Sequence, residues 1–215
     1  MDLATGVDRL RSGRPTHFVR HPKARLVAIG IAVVVLTGSM LLVGKGDVGD
    51  AERSAFSLIN GLPDVLEAPM WVVQLFGSLA FVVLAALASL LLARTRLGVA
   101  LLLAVPLKLA FEWWIVKALV ERERPFITVS EAVIREVNSS PLGFPSGHAI
   151  LAFVVAGCLA PYVSKRGTAV LYLLAVLSGI ARIYLGAHNP LDVIAGAAIG
   201  VAIAAGLNLA VATPS

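Results

Sequence analysis

The residues best able to do chemistry in this chain fall into three short clusters, and each combines groups that bind or attack an anion. The run from Ala181 to Asp192 carries Arg182, His188 and Asp192, with the carboxylate four residues beyond the imidazole. At that spacing Asp192 can accept from one nitrogen of His188, leaving the other as a nucleophile or base. A second reading of Asp192 stands beside this one. With Asn189 as N-cap and Pro190 as first helical residue, Asp192 is the third helical residue, where a carboxylate supports the cap and the helix dipole. Arg182 lies near the end of an otherwise apolar helix and needs an anionic partner.

The second cluster is Phe144-Pro145-Ser146-Gly147-His148, where a loop becomes a helix and Ser146 is placed as its N-cap. A helix N-terminus exposes unpaired N–H groups and the positive end of a dipole, so Ser146 and Gly147 can cradle an anion, with Gly147 leaving room for close approach. The third cluster runs from Lys117 to Arg124 and Pro125. Alone, its cations also suit snorkelling at a membrane boundary, and Ser146 with His148 alone suits a plain cap beside an interfacial histidine. The convergence of all three at one edge of the scaffold carries the argument.

That scaffold is built for lipid. Of the 215 residues, 58% are hydrophobic and 14% charged, and the mean hydropathy is +0.88, far more apolar than a soluble domain requires. About 20 apolar residues cross a bilayer core, and candidate spans run Leu26 to Val43, Met70 to Ala93, Leu97 to Val120, Gly147 to Val163, Thr168 to Leu185 and Pro190 to Val211. The expected fold is all-α, a polytopic membrane protein with a six-transmembrane-helix bundle. Its organisation is a basic cytoplasmic arm over 1–25, one six-span domain over 26–211 and a short cytoplasmic tail over 212–215. The first span follows a long basic arm without a small-residue cleavage site, so it reads as a retained anchor.

Cations set the expected orientation. Arg9, Arg11, Arg14, Arg20, Lys23 and Arg25 precede the first span, and Arg94, Arg96, Lys165 and Arg166 occupy loops on the same side, which should be cytoplasmic. This placement accounts for the formal charge of +5 as a topology signal beside an anionic leaflet, with no call for nucleic acid. The opposite side receives the loop containing Asp47, Asp50, Glu52, Asp64 and Glu67, in which Phe56, Leu58 and Ile59 suit either a short interfacial helix or an ordinary loop. The three clusters map to that extracytoplasmic edge. Within the third span Lys108 and Glu112 stand one turn apart and should neutralise each other, with a proton or substrate pathway as the alternative. Trp113 and Trp114 suit an interfacial aromatic belt. Cys158, the one cysteine, reads as a small core residue.

Together the three clusters resemble the signature of the type 2 phosphatidic acid phosphatase superfamily of lipid phosphatases, over Lys117 to Asp192 and in the same order. The family usually has Ser before the arginine of the third motif, where this chain has Ala181, so one hydroxyl contact to phosphate is missing. The resemblance implies that His188 attacks phosphorus, Asp192 orients it and His148 protonates the leaving oxygen, with phosphate held by Lys117, Arg124, Arg182, Ser146 and Gly147. It implies an enzyme that hydrolyses a phosphate or diphosphate lipid head group through a phosphohistidine, with no metal and no cofactor. His17 and His21 belong to the cytoplasmic arm, too far across the membrane to complete a metal site with His148 and His188. The expected substrate is a polyprenyl diphosphate, undecaprenyl or decaprenyl, with Arg135 as a further contact beside acidic Glu131 and Glu136. Phosphatidylglycerophosphate and phosphatidate are the alternatives; a transporter or an inactive scaffold is the alternative in kind. The expected partners are a membrane lipid and the bilayer of a bacterial cell membrane; the sequence sets no oligomeric state.

Overall fold

The computed structural model describes residues 18–44, 46–137 and 140–214, with backbone only at Phe18, Ile115 and Lys117. The arginines of the arm at positions 9, 11 and 14, and His17, lie outside the described residues. The helices are α1 (Pro22–Val43), α2 (Asp50–Asn60), α3 (Glu67–Gln74), α4 (Leu79–Leu91), α5 (Thr95–Leu109), α6 (Lys117–Leu119), α7 (Pro125–Thr128), α8 (Gly147–Leu159), α9 (Lys165–Tyr184) and α10 (Pro190–Val211). Strands β1 (Phe18–Val19) and β2 (Thr213–Pro214) pair antiparallel. Helix α10 is central, packing on α1 and α8, while α9 packs on α8 and α3.

Among the described residues four helices are long and apolar enough to cross a membrane, α1, α5 with the start of its continuation, α9 and α10, or up to five if a bent pair is one span. In that pair the residues Asp64–Gly77 and Leu79–Leu91 meet at 53°, so the span expected from Met70 to Ala93 is broken. Ser78 is the cause: its backbone is extended and its hydroxyl accepts from Phe81 N–H at 3.1 Å, capping a new helix. The helix expected from Gly147 to Val163 is shorter than a full span by this measure, ending in a 3₁₀ turn at Ala160–Tyr162. The span expected from Leu97 to Val120 changes character instead. Pro106, which has no N–H to donate, precedes a π-helical stretch at Ala110–Val116.

Helix α1 buries only Ala32, Ser39 and Val43, while Leu26, Val27, Ile31, Val34, Leu41 and Leu42 lie exposed. In water so large an apolar face would be a liability; in a bilayer it meets its natural solvent. The interior relies on close approach. A Cβ on Gly196 would lie 2.5 Å from Ser146 O, and one on Gly200 2.5 Å from Ile150 O. These two glycines, four residues apart on one face of α10, let α8 lie against it backbone to backbone.

Different segments meet at the two ends of the bundle. At one end strands β1 and β2 pair, Arg96 donates to Val211 O at 2.6 Å, and Arg94 stacks 5.5 Å over the Tyr162 ring. At the other end lies α2, whose Phe56 is buried, confirming the helical alternative for that loop, together with the 120–146 segment and the turn at His188.

Candidate active site

The turn between α9 and α10 is shaped by Arg182, whose carbonyl accepts from Ala187 N–H at 3.0 Å and His188 N–H at 3.2 Å. It leads into α10 as the sequence suggests, with Asn189 as N-cap and Pro190 first. Asp192 Oδ2 accepts from Asn189 N–H at 2.8 Å and lies 3.6 Å from His188 Nδ1. The cap and the imidazole thus share one carboxylate oxygen, so both readings of Asp192 hold in one geometry. The 3.6 Å separation is ion-pair range, longer than a hydrogen bond.

His188 Nε2 is 3.2 Å from Arg124 Nη1. A guanidinium only donates, so Nε2 is the acceptor and the proton of a neutral ring sits on Nδ1, facing Asp192. The lone pair of Nε2 therefore lies where Arg124 can direct an anion to it. Arg124 is itself fixed by Nε to Ser140 O at 2.8 Å and Nη1 to Ala187 O at 2.6 Å. Burial lowers its pKa below the ordinary guanidinium value and nearby Arg182 acts in the same direction, against Asp192 and Glu136. Ser146 joins this group through its N–H, which donates to Asp192 O at 2.9 Å, and its hydroxyl accepts from Ala149 N–H at 3.5 Å as the α8 cap. His148, in the first turn of α8, lies within electrostatic reach of Arg182, His188, Lys108 and Arg124.

Arg182 and Arg135 both hold protein acceptors. Arg182 is fully buried, and its guanidinium is held by both oxygens of Glu136, one at 2.9 Å, and by Gln74 Oε1. The anionic partner that Arg182 required is thus a residue of the outer loop. Arg135 does not face the site as a further phosphate contact: it donates to Asn60 O at 2.8 Å, Tyr184 O at 2.9 Å and Asp64 Oδ1 at 2.8 Å, and stacks on Tyr184. It straps the outer loop to α9, its planar fork reaching two carbonyls and a carboxylate at once. Asn60 adds to the strap from Nδ2 to Val133 O and Tyr184 O, each at 2.9 Å. The Lys117 side chain lies outside the described residues. Ala181 is fully buried, so a hydroxyl there would need a protein or phosphate partner.

Two participants were missed in the sequence, Arg122 and Glu52. Arg122 is fully buried; its Nη1 donates to Asp192 Oδ1 at 3.0 Å and to Glu52 Oε1 at 3.0 Å, and Nη2 to Glu52 Oε2 at 2.6 Å. Burial alone would depress this guanidinium, but Glu52 and Asp192 outweigh it and raise its pKa above the ordinary value. Glu52 Oε1 also accepts from Leu191 N–H at 2.8 Å, tying α2 to the start of α10. Each oxygen of Asp192 therefore has its own task, one toward Arg122 and one toward the ring. A signal for Arg122 existed: Val120, Arg122 and Arg124 are buried while Glu121 and Glu123 are exposed, the period-2 alternation of an extended segment.

Among the described residues no group of three His, Cys, Asp or Glu side chains is arranged to hold a metal ion. The site is instead a guanidinium-lined imidazole with a carboxylate behind it. The sequence model of the PAP2 superfamily matches residues 93–214, more than half of the chain. The chain belongs to the PAP2 superfamily. It is similar to the undecaprenyl-diphosphatase of Sulfolobus acidocaldarius, 36% identical over 77 residues, which are 36% of this chain and 37% of that protein. It is also similar to phosphatidylglycerophosphatase B of Bacillus subtilis, 34% identical over 97 residues, or 40% of this chain and 45% of that one. The chain thus spans less than half the length of these curated relatives. Among solved structures, a transmembrane PAP2-type phosphatidylglycerolphosphate phosphatase from Bacillus subtilis has the same fold, with a TM-score of 0.65 at 21% identity over 88% of this chain and 95% of that one.

Proposed function

We propose that this PAP2 protein is a lipid phosphatase of six membrane crossings, with both termini in the cytoplasm and the site at the extracytoplasmic surface of a bacterial cell membrane. The observation that carries the chemistry is the placing of His188 between Arg124 at Nε2 and Asp192 at Nδ1. Phosphoryl transfer asks chiefly for in-line positioning and for stabilisation of charge on the equatorial oxygens. Arg124, Lys117 and the N–H groups at the start of α8 serve that purpose, joined by Arg182 once phosphate replaces Glu136. Nε2 of His188 attacks the terminal phosphorus, the bond from phosphorus to the leaving oxygen breaks, and His148 gives that oxygen its proton. Water then gives a proton to the deprotonated His148 and attacks the phosphohistidine, the bond from phosphorus to Nε2 breaks, and inorganic phosphate leaves with His188 and His148 restored, Asp192 supporting the charge on the ring throughout.

The substrate class we favour is a polyprenyl diphosphate, supported by the relative named undecaprenyl-diphosphatase. The relative named phosphatidylglycerophosphatase B supports phosphatidylglycerophosphate as the second reading. Phosphate release from these lipids in mixed micelles, with chelator present, tests the proposal. Wild-type protein is expected to turn over without added metal, His188→Ala to be inactive, and Asp192→Asn and His148→Ala each to lose about 10² to 10⁴-fold. An active His188→Ala protein refutes the phosphohistidine. A preference of about tenfold or more for the glycerophospholipid, at least the scale of one methylene in a pocket, refutes the polyprenyl assignment alone.

A further inference from the structure

Lys108 and Glu112 form an ion pair one turn apart, in a segment whose length and apolarity suit a membrane span. Charges there are costly, and those retained usually serve a purpose. Three features of the pair are unlike simple mutual neutralisation. Glu112 lies in the π-helical stretch Ala110–Val116, a distortion frequent at functional sites. The pair packs on the N-terminal turn of α8: a Cβ built on Gly147 would lie 2.9 Å from Lys108 Nζ, and 2.9 Å and 3.0 Å from the two Glu112 oxygens. Finally, Lys108 lies within electrostatic reach of His148, and Glu112 of Arg124.

Lys108 precedes Lys117 by nine residues on the same helical path, about two helical turns. Its backbone is thus deeper in the membrane than the Arg124–His188 edge, and its stem carries the ammonium back toward Gly147. A lipid diphosphate entering from the bilayer presents its terminal phosphate to His188 and its ester-linked phosphate on the membrane side, toward the lipid tail. We propose that Lys108 is the contact for this second, ester-linked phosphate, and that Glu112 is the resting counter-ion which the diphosphate displaces. The inference rests on the lipid phosphatase reading above and adds its specificity: the ester-linked phosphate becomes the leaving group, and an ammonium beside it stabilises the charge that develops as the bridging bond breaks. A monophosphate ester has carbon in that position and gains nothing from Lys108.

The test uses the full chain in detergent with two soluble probes, methylenediphosphonate, whose bridge does not hydrolyse, and inorganic phosphate. Affinity is read by calorimetry for wild type, Lys108→Gln and the electroneutral pair Lys108→Gln with Glu112→Gln, which guards against misfolding from an unpaired carboxylate. Both variants are expected to lose about tenfold or more in the ratio of diphosphonate to phosphate affinity, the scale of one charge-assisted hydrogen bond. An unchanged ratio in the folded double variant overturns the Lys108 subsite and leaves the phosphatase reading standing. Wild-type protein that binds neither probe overturns both.

Discussion

Replacing Arg122 by Gln removes the group that joins two buried carboxylates, Asp192 at 3.0 Å and Glu52 at 3.0 and 2.6 Å. Arg122 and Asp192 have no exposed side-chain surface and Glu52 has 8%, so solvent cannot take over its role. Breaking a buried pair from one side costs about 3 to 5 kcal/mol, because the remaining charge stays buried. The catalytic effect is separable from that loss. Without Arg122, Asp192 Oδ1 has no fixed partner and Oδ2 no longer keeps its aim at His188, so kcat is expected to fall about 10²-fold, about 2.7 kcal/mol of transition-state stabilisation. KM for the lipid is expected to change little, since Arg122 faces carboxylates and not the phosphate site.

The decisive assay is a double-mutant cycle on kcat with Arg122→Gln and Asp192→Asn, normalised to the folded fraction of each preparation in detergent. If Arg122 acts through Asp192, its loss in the Asp192→Asn background costs far less than in wild type, giving a coupling of about 1 to 3 kcal/mol. Independent, multiplicative losses refute the relay. Glu52→Gln is the milder companion: it keeps an acceptor for Leu191 N–H but removes a balancing charge, and its effect should shrink in the same way once Asp192 is Asn.

Glu136→Gln frees Arg182 from its bidentate partner, so product inhibition by inorganic phosphate is expected to tighten, by up to about tenfold on the scale of a hydrogen bond to a charged group; weaker inhibition would show that Glu136 assists binding. Membrane orientation is open to cysteine labelling, since the native Cys158 is buried. Cysteine at the exposed position of Ser130 is expected to react with an impermeant reagent from outside intact cells and cysteine at exposed Arg166 only after lysis, and the reverse pattern would invert the proposed topology.

Much of this protein was legible in the chain because the governing interactions are local. Helix α10 begins at Pro190 and ends at Val211 as expected, since a cap, a proline and a long apolar run are read within one segment. Ser146 caps α8 for the same reason. The approach of Asp192 to His188 follows from a four-residue spacing. Tertiary structure decided what distant segments bring to one another. Glu52 and Arg122 are 70 residues apart, Arg122 and Asp192 another 70, Gln74 and Arg182 108, and no periodicity in sequence links such pairs. The break at Ser78 likewise turned on a competition between one continuous apolar helix and a side-chain cap, which a hydropathy window averages away. Arg135 and Arg182 show the limit most clearly: a sequence says that a buried guanidinium needs an acceptor, and only packing determines whether that acceptor is Tyr184 O, Glu136 or the phosphate of a lipid.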